Sequence, residues 1–460
     1  MANHFLKQLF DELEQLEQIR EEETKIKKNI NAIKIKNAIS QSKQKQKNII
    51  EFLNVMCSNA GQCIAFGKEN LKIKRLFSNF NSFHFVTEAK QIGTNGDAAN
   101  GFVIELKNVT QQYIAYTVLK MCQNDTADSL VYEYTVGREF VNQQLNFFPC
   151  FIETYSLFLY PPTKYAEIKN HITSKKGFNS NIFILKSGAQ NVSKTVKPNE
   201  MCQFSQNFAI LIQHLHDVLT LSEFLDKFIY YTISEEEILY ILYQIYLPLS
   251  VLSGVFTHYD LHWENVLLYQ PFNNNGRIHF KYHLPDGEIV EFYSRYLVKI
   301  IDYGRCYYYS NDTSNSKTIY NKICDEPECS NEQNTCGYDK GFRFLKPGLI
   351  PKHHFISSSE PNISADLRLL LILIHSHSFR SEDVKQYLHK LNGFKITRFS
   401  TDPLASDITG QKINNVIDAE KLLRPLCRKK HLSNLYNVLK VKGIMEIYAD
   451  RTKPLTFKLA

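Results

Sequence analysis

Gly254–Tyr269, GVFTHYDLHWENVLLY, is the stretch on which the fold prediction depends. It contains Asp260 and Asn265 and then passes directly into an apolar, strand-like run. A second stretch, Tyr296–Arg305, reads YLVKIIDYGR, and its apolar run ends at Asp302. Each stretch therefore predicts a strand with an acidic or amide side chain beside it.

Two carboxylates and one amide in this order suit the chemistry of phosphoryl transfer. One carboxylate can receive the proton of an attacking hydroxyl, while the other carboxylate and the amide hold the magnesium ions that bridge the phosphates. Asp260 is the predicted proton acceptor, and Asn265 and Asp302 are the predicted metal ligands. The simpler interpretation is a loop between a helix and a strand in which these residues only form turns.

The composition indicates a large folded protein. The chain has 460 residues, of which 43% are hydrophobic, so two or three domains with a large core are expected. We find no apolar stretch long enough to span a bilayer. The ten cysteines are scattered and no signal peptide is recognisable, which predicts free thiols in an intracellular, reducing compartment. The net charge of +7 is mild and favours acidic partners such as nucleotides.

The N-terminal part, residues 1–50, is predicted to be a basic helical extension. Glutamates concentrate between Glu12 and Glu23, whereas Lys25–Lys47 contains eight lysines and no acidic residue. One interpretation is a solvated helix that packs one side on the body of the protein or on a partner. The other is a surface for an anionic partner, either a membrane surface or nucleic acid.

Candidate phosphate contacts precede the two stretches. Gly93, Gly96 and Gly101 lie between two strand-like runs, where backbone can approach phosphates closely, and Val103 follows them. An ordinary hairpin that contains glycines fits these residues too. Lys120 ends a β-branched and aromatic run, which predicts a strand that presents a cation. The alternative for Lys120 is an ordinary surface lysine.

These residues resemble the eukaryotic protein-kinase superfamily. That family carries H-R-D-L-x-x-x-N and D-F-G where this chain has His258–Asn265 and Asp302-Tyr-Gly, and Lys120 matches V-A-I-K in placement. The sequence of the catalytic loop is most similar to that of haspin-type atypical serine/threonine kinases. The segments that flank the second motif, together with the late Gly443–Tyr448, are similar to kinase-like proteins of large DNA viruses.

The resemblance implies a bilobal, protein-kinase-like α+β fold with a small, mainly β N-lobe and a larger, mainly α C-lobe. The N-lobe is predicted over 80–215 with an insert near 161–206. The C-lobe is predicted over 216–460 with an insert near 271–296, where two strand-like runs flank an Asp-Gly turn and predict a hairpin. Ser378–Ala460 is expected to form lobe helices and a basic tail.

The resemblance also implies ATP and Mg²⁺ as cofactors. Backbone groups of the predicted hinge, at Gln213 and Leu215, would meet the adenine. Lys120 would be steadied by an acid on the next helix. Glu139 is preferred because its spacing to the following Phe-Phe-Pro run is the usual one in kinases, and Glu133 is the alternative.

Asp366 starts a predicted buried helix after the second motif. Kinases place an aspartate here that braces the backbone of the catalytic loop. The alternative is an acid that only favours the start of a helix.

Three cysteines follow the second motif at irregular spacing: Cys324, Cys329 and Cys336. Free thiols are the preferred interpretation. A zinc site completed by a nearby histidine is the alternative.

The predicted acceptor is a protein serine or threonine, since Trp263 and the Asp302-Tyr-Gly motif favour it. Serine/threonine kinases usually have lysine where this chain has His262, and small-molecule kinases of the aminoglycoside and choline type carry histidine there, as do haspin-type kinases. No A-P-E triplet closes the activation segment, and a pseudokinase that only binds partners is the third alternative. A viral origin would place the protein in the host cytoplasm or the virion.

Overall fold

The computed structural model describes most of the chain from Asn70 to Leu459. The described residues are 22, 25, 40, 70–92, 101–110, 113–122, 130–173, 182–196, 207–228, 232–272, 276–319, 340–343, 353–356, 358–391, 404–428 and 440–459. The chain divides into two units, Met1–Ser58 and Asn59–Ala460. The described residues of the first unit are helical, and nearly all of Lys25–Lys47 lies outside the described residues.

An antiparallel sheet forms the first lobe of the second unit. Its central strands are rich in β-branched and aromatic residues, which fit a pleated, half-buried surface. The strands are β1 Val86–Ile92, β2 Gly101–Val109, β3 Ile114–Cys122, β4 Thr154–Leu159, β5 Gln190–Asn191 and β6 Phe208–His214. Their order across the sheet is β1-β2-β3-β6-β4-β5.

One helix of this lobe, which follows β3 and precedes β4 in the chain, packs on the sheet. Helix α1 spans Asn70–Leu76, and α2, Leu130–Val136, continues through a π-helical turn, Gly137–Val141, into a short helical turn, Asn142–Gln144. Helix α2 lies against β4 and β6. The predicted insert near 161–206 contains α3 Pro162–Thr173, α4 Ile182–Lys186 and β5.

The described part of the second lobe contains five helices. They are α5 Leu221–Phe228, α6 Thr232–Val251, α7 Arg368–Ser376, α8 Glu382–His389 and α9 Val416–Arg428. Helices α6 and α9 pack against each other, and α8 contacts both. Most described side chains of α6 are buried, so it forms the centre of this lobe.

Short strands surround the helices. They are β7 Leu219–Thr220, β8 Phe256–Thr257, β9 Val266–Tyr269, β10 Arg277–His283, β11 Ile289–Ser294, β12 Leu297–Ile300, β13 Tyr307–Asn311, β14 Ser314–Asn315, β15 Lys340–Arg343 and β16 His353–Ile356. Strand β9 pairs antiparallel with β12 and with β7. This pairing brings the segments that end at Asn265 and start at Ile301 together.

The predicted hairpin near 271–296 is confirmed, because β10 and β11 pair antiparallel. The C-terminal part differs from prediction. Strands β17 Val441–Tyr448 and β18 Thr456–Leu459 extend this hairpin into a four-stranded sheet, with β17 parallel to β10. The expectation of only helices and a basic tail after Ser378 is therefore wrong. Alternate residues of β17 are buried, and its hydrogen-bonded neighbour β10 lies far away in sequence.

A buried carboxylate ties the hairpin to α6. Glu237 of α6 accepts hydrogen bonds from Arg277 Nη1 and Ser294 Oγ, both at 2.8 Å. Because a buried charge requires paired partners, these bonds fix the hairpin on the helical lobe.

The α+β, two-lobed architecture predicted from the sequence is confirmed: an antiparallel sheet with one packed helix is followed by a lobe whose described residues form five helices and additional strands. Within the described part of the chain, each helix is too short or too polar to cross a membrane.

Candidate active site

Lys120 lies between two carboxylates that come from different elements. Its Nζ donates to Glu133 Oε2 at 2.8 Å and to Asp302 Oδ1 at 2.7 Å. Lys120 belongs to β3, Glu133 to α2, and Asp302 follows β12. Burial alone would lower the pKa of the Lys120 amine, but the two carboxylates outweigh burial and raise it, Asp302 more than Glu133. The three residues therefore form one charged cluster that joins the two lobes.

The preference for Glu139 over Glu133 is wrong. The Glu133 side chain is 3% exposed and bonds to Lys120, whereas the Glu139 side chain is 48% exposed and has Arg138 Nε at 3.8 Å from its Oε1. Glu139 lies in the π-helical turn, Gly137–Val141, which follows α2. Glu133 and Glu139 are six residues apart, which is not a whole number of helical turns, so their carboxylates lie on different faces of the helix.

A buried tyrosine fixes the backbone around Asp302. Asp302 has a φ of +70°, a left-handed conformation that costs a non-glycine residue about 1–3 kcal/mol. Tyr303 Oη donates to the Ile300 carbonyl at 2.7 Å and accepts from the Ile152 N–H at 2.9 Å. Burial would raise the pKa of Asp302, but Lys120 outweighs burial and lowers it. The aspartate is thus held ionised and directed at the lysine.

Asp366 braces the catalytic loop, as the resemblance implied. Its two carboxylate oxygens accept the backbone N–H groups of His258 and Tyr259, each at 2.8 Å. Tyr259 has a φ of +63°, so the carboxylate holds a strained peptide. His258 Nε2 lies 2.9 Å from the Ile301 carbonyl oxygen, which links the loop to the segment before Asp302.

Asn265 lies at the end of the same loop. Its Nδ2 donates to the Asp260 carbonyl at 2.9 Å, and its own carbonyl accepts the Ile301 N–H at 3.1 Å. The donor set of Asn265 and Asp302, one amide oxygen and one carboxylate, fits the oxygen ligands that Mg²⁺ prefers beside nucleotide phosphates. Within the described residues, His, Cys, Asp and Glu side chains form no cluster of three that would hold a metal by themselves.

The Asp260 carboxylate faces two guanidinium groups that the sequence reasoning missed. Arg368 Nη1 donates to Oδ1, and Arg305 Nη1 lies 3.7 Å from Oδ2. His262 Nε2 lies 3.9 Å from Oδ1. Burial would raise the pKa of Asp260, but Arg368 and then Arg305 outweigh burial and lower it. Asp260 is therefore ionised, as a proton acceptor must be.

The predicted glycine loop is only partly described. Gly93 and Gly96 lie outside the described residues. Gly101 begins β2, where a Cβ would collide with the Met121 carbonyl of β3. Close strand pairing thus explains Gly101 without a nucleotide. Val103 pairs with Lys120 in the register of β2 and β3, so both side chains share one face of the sheet.

Gln213 and Leu215 are the residues of the predicted hinge. Gln213 donates its backbone N–H to the Glu153 carbonyl at 2.8 Å, and its Oε1 accepts the Glu153 N–H at 3.3 Å. Lys120 pairs with Ile210, so the alternation along β6 places the Gln213 side chain on the other face of the sheet from Lys120. Leu215 is buried and follows β6. The Gln213 N–H is therefore already bonded within the protein, which contradicts its predicted contact with adenine, whereas the backbone contact at Leu215 stays a prediction.

A second cluster on the Lys120 face was not predicted. Glu105 Oε2 lies 2.9 Å from His214 Nε2 and 3.0 Å from His216 Nδ1, and the His216 ring stacks on Tyr116. Burial would raise the pKa of Glu105, but the bonds to both histidines outweigh burial and lower it to about 2. Glu105 lies two residues after Val103, so strand alternation places it on this face of the sheet. This spacing is the one feature of the sequence that could have predicted the cluster.

The cysteines Cys324, Cys329 and Cys336 lie outside the described residues. Free thiols remain the prediction for them. Among the described residues, Cys150, Cys306 and Cys427 are free and buried, and Cys122 is buried.

Comparisons with known proteins add little to this geometry. No protein-family model matches the chain, and no curated protein matches it. Among the solved structures that match is the crystal structure of a Plasmodium kinase domain, with 15% sequence identity over 48% of this chain and 51% of that chain. The TM-score is 0.26, so this overlay carries no argument, and the description of the site rests on its own contacts.

Glu133→Gln tests which acid pairs with Lys120. We expect it to lower the free energy of unfolding by about 1–3 kcal/mol, because it leaves a half-buried ammonium less compensated. Glu139→Gln, an exposed change, should alter the free energy by less than about 0.5 kcal/mol. Urea denaturation of both variants and the parent measures the difference. Equal losses, or a larger loss for Glu139→Gln, would contradict the pairing.

Glu105→Gln tests the second cluster through pH. A carboxyl pKa lowered to about 2 from 4.5 adds stability that is complete above pH 4.5 and is lost as the pH falls toward 2. The difference in unfolding free energy between parent and Glu105→Gln should therefore be largest near neutral pH and shrink over that interval.

The matched control for Glu105→Gln is Glu88→Gln, since Glu88 pairs with Lys107 at 2.8 Å on the same sheet but is 67% exposed. Its effect should be small at every pH. A Glu105→Gln difference that does not change with pH would refute the assignment of the histidine-bonded carboxylate.

Proposed function

We propose that this chain is an ATP- and magnesium-dependent phosphotransferase that acts on serine or threonine hydroxyls of a protein. The observation that carries the proposal is the Lys120 amine bonded to both Glu133 and Asp302. A lysine on a strand, an acid on the following helix and an aspartate after a later strand are the groups with which protein kinases hold ATP phosphates. Ion pairs that serve only the fold also occur in proteins. This chain, however, has in addition a catalytic loop whose backbone is braced by Asp366.

Each residue has a defined task in the proposed reaction. Lys120, oriented by Glu133, would neutralise the α- and β-phosphates. Asp260 would accept the proton of the acceptor hydroxyl as its oxygen bonds to the γ-phosphorus. The bond from that phosphorus to the bridging oxygen breaks, and ADP leaves with the electron pair. Positioning and charge stabilisation would supply most of the rate gain.

Asn265 and Asp302 would hold magnesium in this scheme. A bound magnesium ion would neutralise charge on the phosphates of ATP. Hydrogen bonds to the backbone hold both residues in place. Asn265 donates to the Asp260 carbonyl, and the turn at Asp302 is held by the bond from Tyr303 Oη to the Ile300 carbonyl. They would therefore be oriented before nucleotide arrives.

The choice of acceptor is supported by sequence. Trp263 and the Asp302-Tyr-Gly motif favour a protein over a small alcohol, and the similarity of the catalytic loop to haspin-type kinases favours serine or threonine. We extend the proposal to an intracellular, reducing location, which the free, buried Cys150, Cys306 and Cys427 of the described chain support. A basic surface for an anionic partner over Lys25–Lys47 remains part of the proposal on the basis of its eight lysines.

Asp260→Asn tests the proposed reaction. The parent should transfer labelled phosphate from ATP to a basic or acidic protein, and the variant should do so roughly 100-fold or more slowly, since the proton acceptor is lost. ATP affinity should be nearly unchanged. Aminoglycosides and choline, offered as acceptors in parallel, distinguish a small-molecule kinase.

Asp286→Asn is the matched control, because Asp286 is a half-exposed aspartate of the same lobe bonded to Arg424. It should transfer phosphate at the parental rate. An Asp260→Asn variant as fast as the parent would contradict the role of Asp260, and a parent that transfers to none of the acceptors would favour a pseudokinase.

A further inference from the structure

One short segment contacts both the backbone and the side chain of the catalytic loop. Asp366 accepts the N–H groups of His258 and Tyr259, and Arg368, two residues later, donates to the Asp260 carboxylate. Leu367 between them is fully buried, so the segment is anchored in the core of the second lobe. The start of α7 therefore controls three consecutive residues of the loop.

The two oxygens of Asp260 are in different positions. Oδ1 accepts the hydrogen bond from Arg368, whereas Arg305 Nη1 lies 3.7 Å from Oδ2, beyond hydrogen-bond distance. The terminal torsion of an aspartate has broad, two-fold preferences and does not by itself fix which oxygen points where. The bond from Arg368 removes this freedom.

Stability alone does not explain an arginine here. A buried ion pair contributes little to stability compared with apolar residues of the same volume, because both charges must be desolvated. The side chains of Arg368 and Asp260 are only 9% and 13% exposed. A planar guanidinium also remains charged at all relevant pH values and constrains the direction of a carboxylate in a way that an ammonium does not.

We propose that Arg368 is a positioning residue, which holds Oδ1 of Asp260 so that Oδ2 receives the proton of the acceptor hydroxyl. The proposal rests on the proposed phosphotransfer and deepens it. Arg368 acts through Asp260 and has no assigned contact with nucleotide. Its loss should therefore slow the transfer step while leaving ATP binding intact.

Steady-state kinetics of Arg368→Ala and Arg368→Lys test the proposal. With full-length protein, ATP and the best acceptor of the parent, Arg368→Ala should lower kcat roughly 100-fold, the size expected when a reacting group is misplaced by about 1 Å. KM for ATP should change little. Arg368→Lys should lie between the parent and Arg368→Ala. Methylguanidinium at millimolar concentration should restore part of the kcat of Arg368→Ala.

The matched control is Arg424→Ala, which removes another arginine bonded to a buried carboxylate of the same lobe, Glu420, at 2.7 Å. It should lose stability in a thermal melt, keep the parental kcat and show no response to methylguanidinium. A merely structural role for Arg368 predicts this same behaviour for Arg368→Ala.

The outcomes separate the two proposals. A parent that transfers phosphate and an Arg368→Ala variant with the same kcat would overturn the positioning role alone. A parent without transfer to any acceptor would overturn the proposed function. If Arg368→Ala does not fold, Arg368→Lys decides: a lower kcat at unchanged KM supports the role of the guanidinium, and a parental kcat contradicts it.

Discussion

The Lys120 ammonium is half-buried between two carboxylates, and this constraint organises the second unit of the chain. A partly buried charge that loses one partner is destabilising, so the movements of the elements that supply the partners are coupled. Glu133 requires α2 to pack on the sheet, and Asp302 requires the segment after β12 to approach β3. The relative position of the two lobes is thus coupled to one ion cluster, which is also where phosphates would be neutralised.

The sequence predicted the parts of the site that local spacing defines. Asp260, Asn265 and Asp302 each sit beside a strand, and Lys120 ends one, so short-range patterns were sufficient to place them. Glu133 was missed because the spacing to the Phe-Phe-Pro run selected an acid by its position in the chain, whereas burial decides the pairing: the Glu133 side chain is 3% exposed and the Glu139 side chain 48%.

Long-range partners were the other class of omission. Arg368 reaches Asp260 over more than one hundred residues, and β17 pairs with the inserted hairpin across a similar distance in sequence. Neither contact leaves a periodic signal near either partner. The hairpin itself was predictable from its Asp-Gly turn, but its attachment to α6 through Glu237 and its extension by the C-terminal strands depend on tertiary packing.

Chemical labelling of Lys120 tests the central claim most directly. An acyl-phosphate derivative of ATP transfers its acyl group to an amine that lies beside the bound phosphates, and mass spectrometry of the full-length protein locates the modified lysine. We predict modification of Lys120 that excess ATP suppresses, with Lys107, which pairs with Glu88 on the same sheet, unprotected by ATP. An unmodified Lys120, or modification that excess ATP does not reduce, would contradict the assignment of this cluster as the phosphate site.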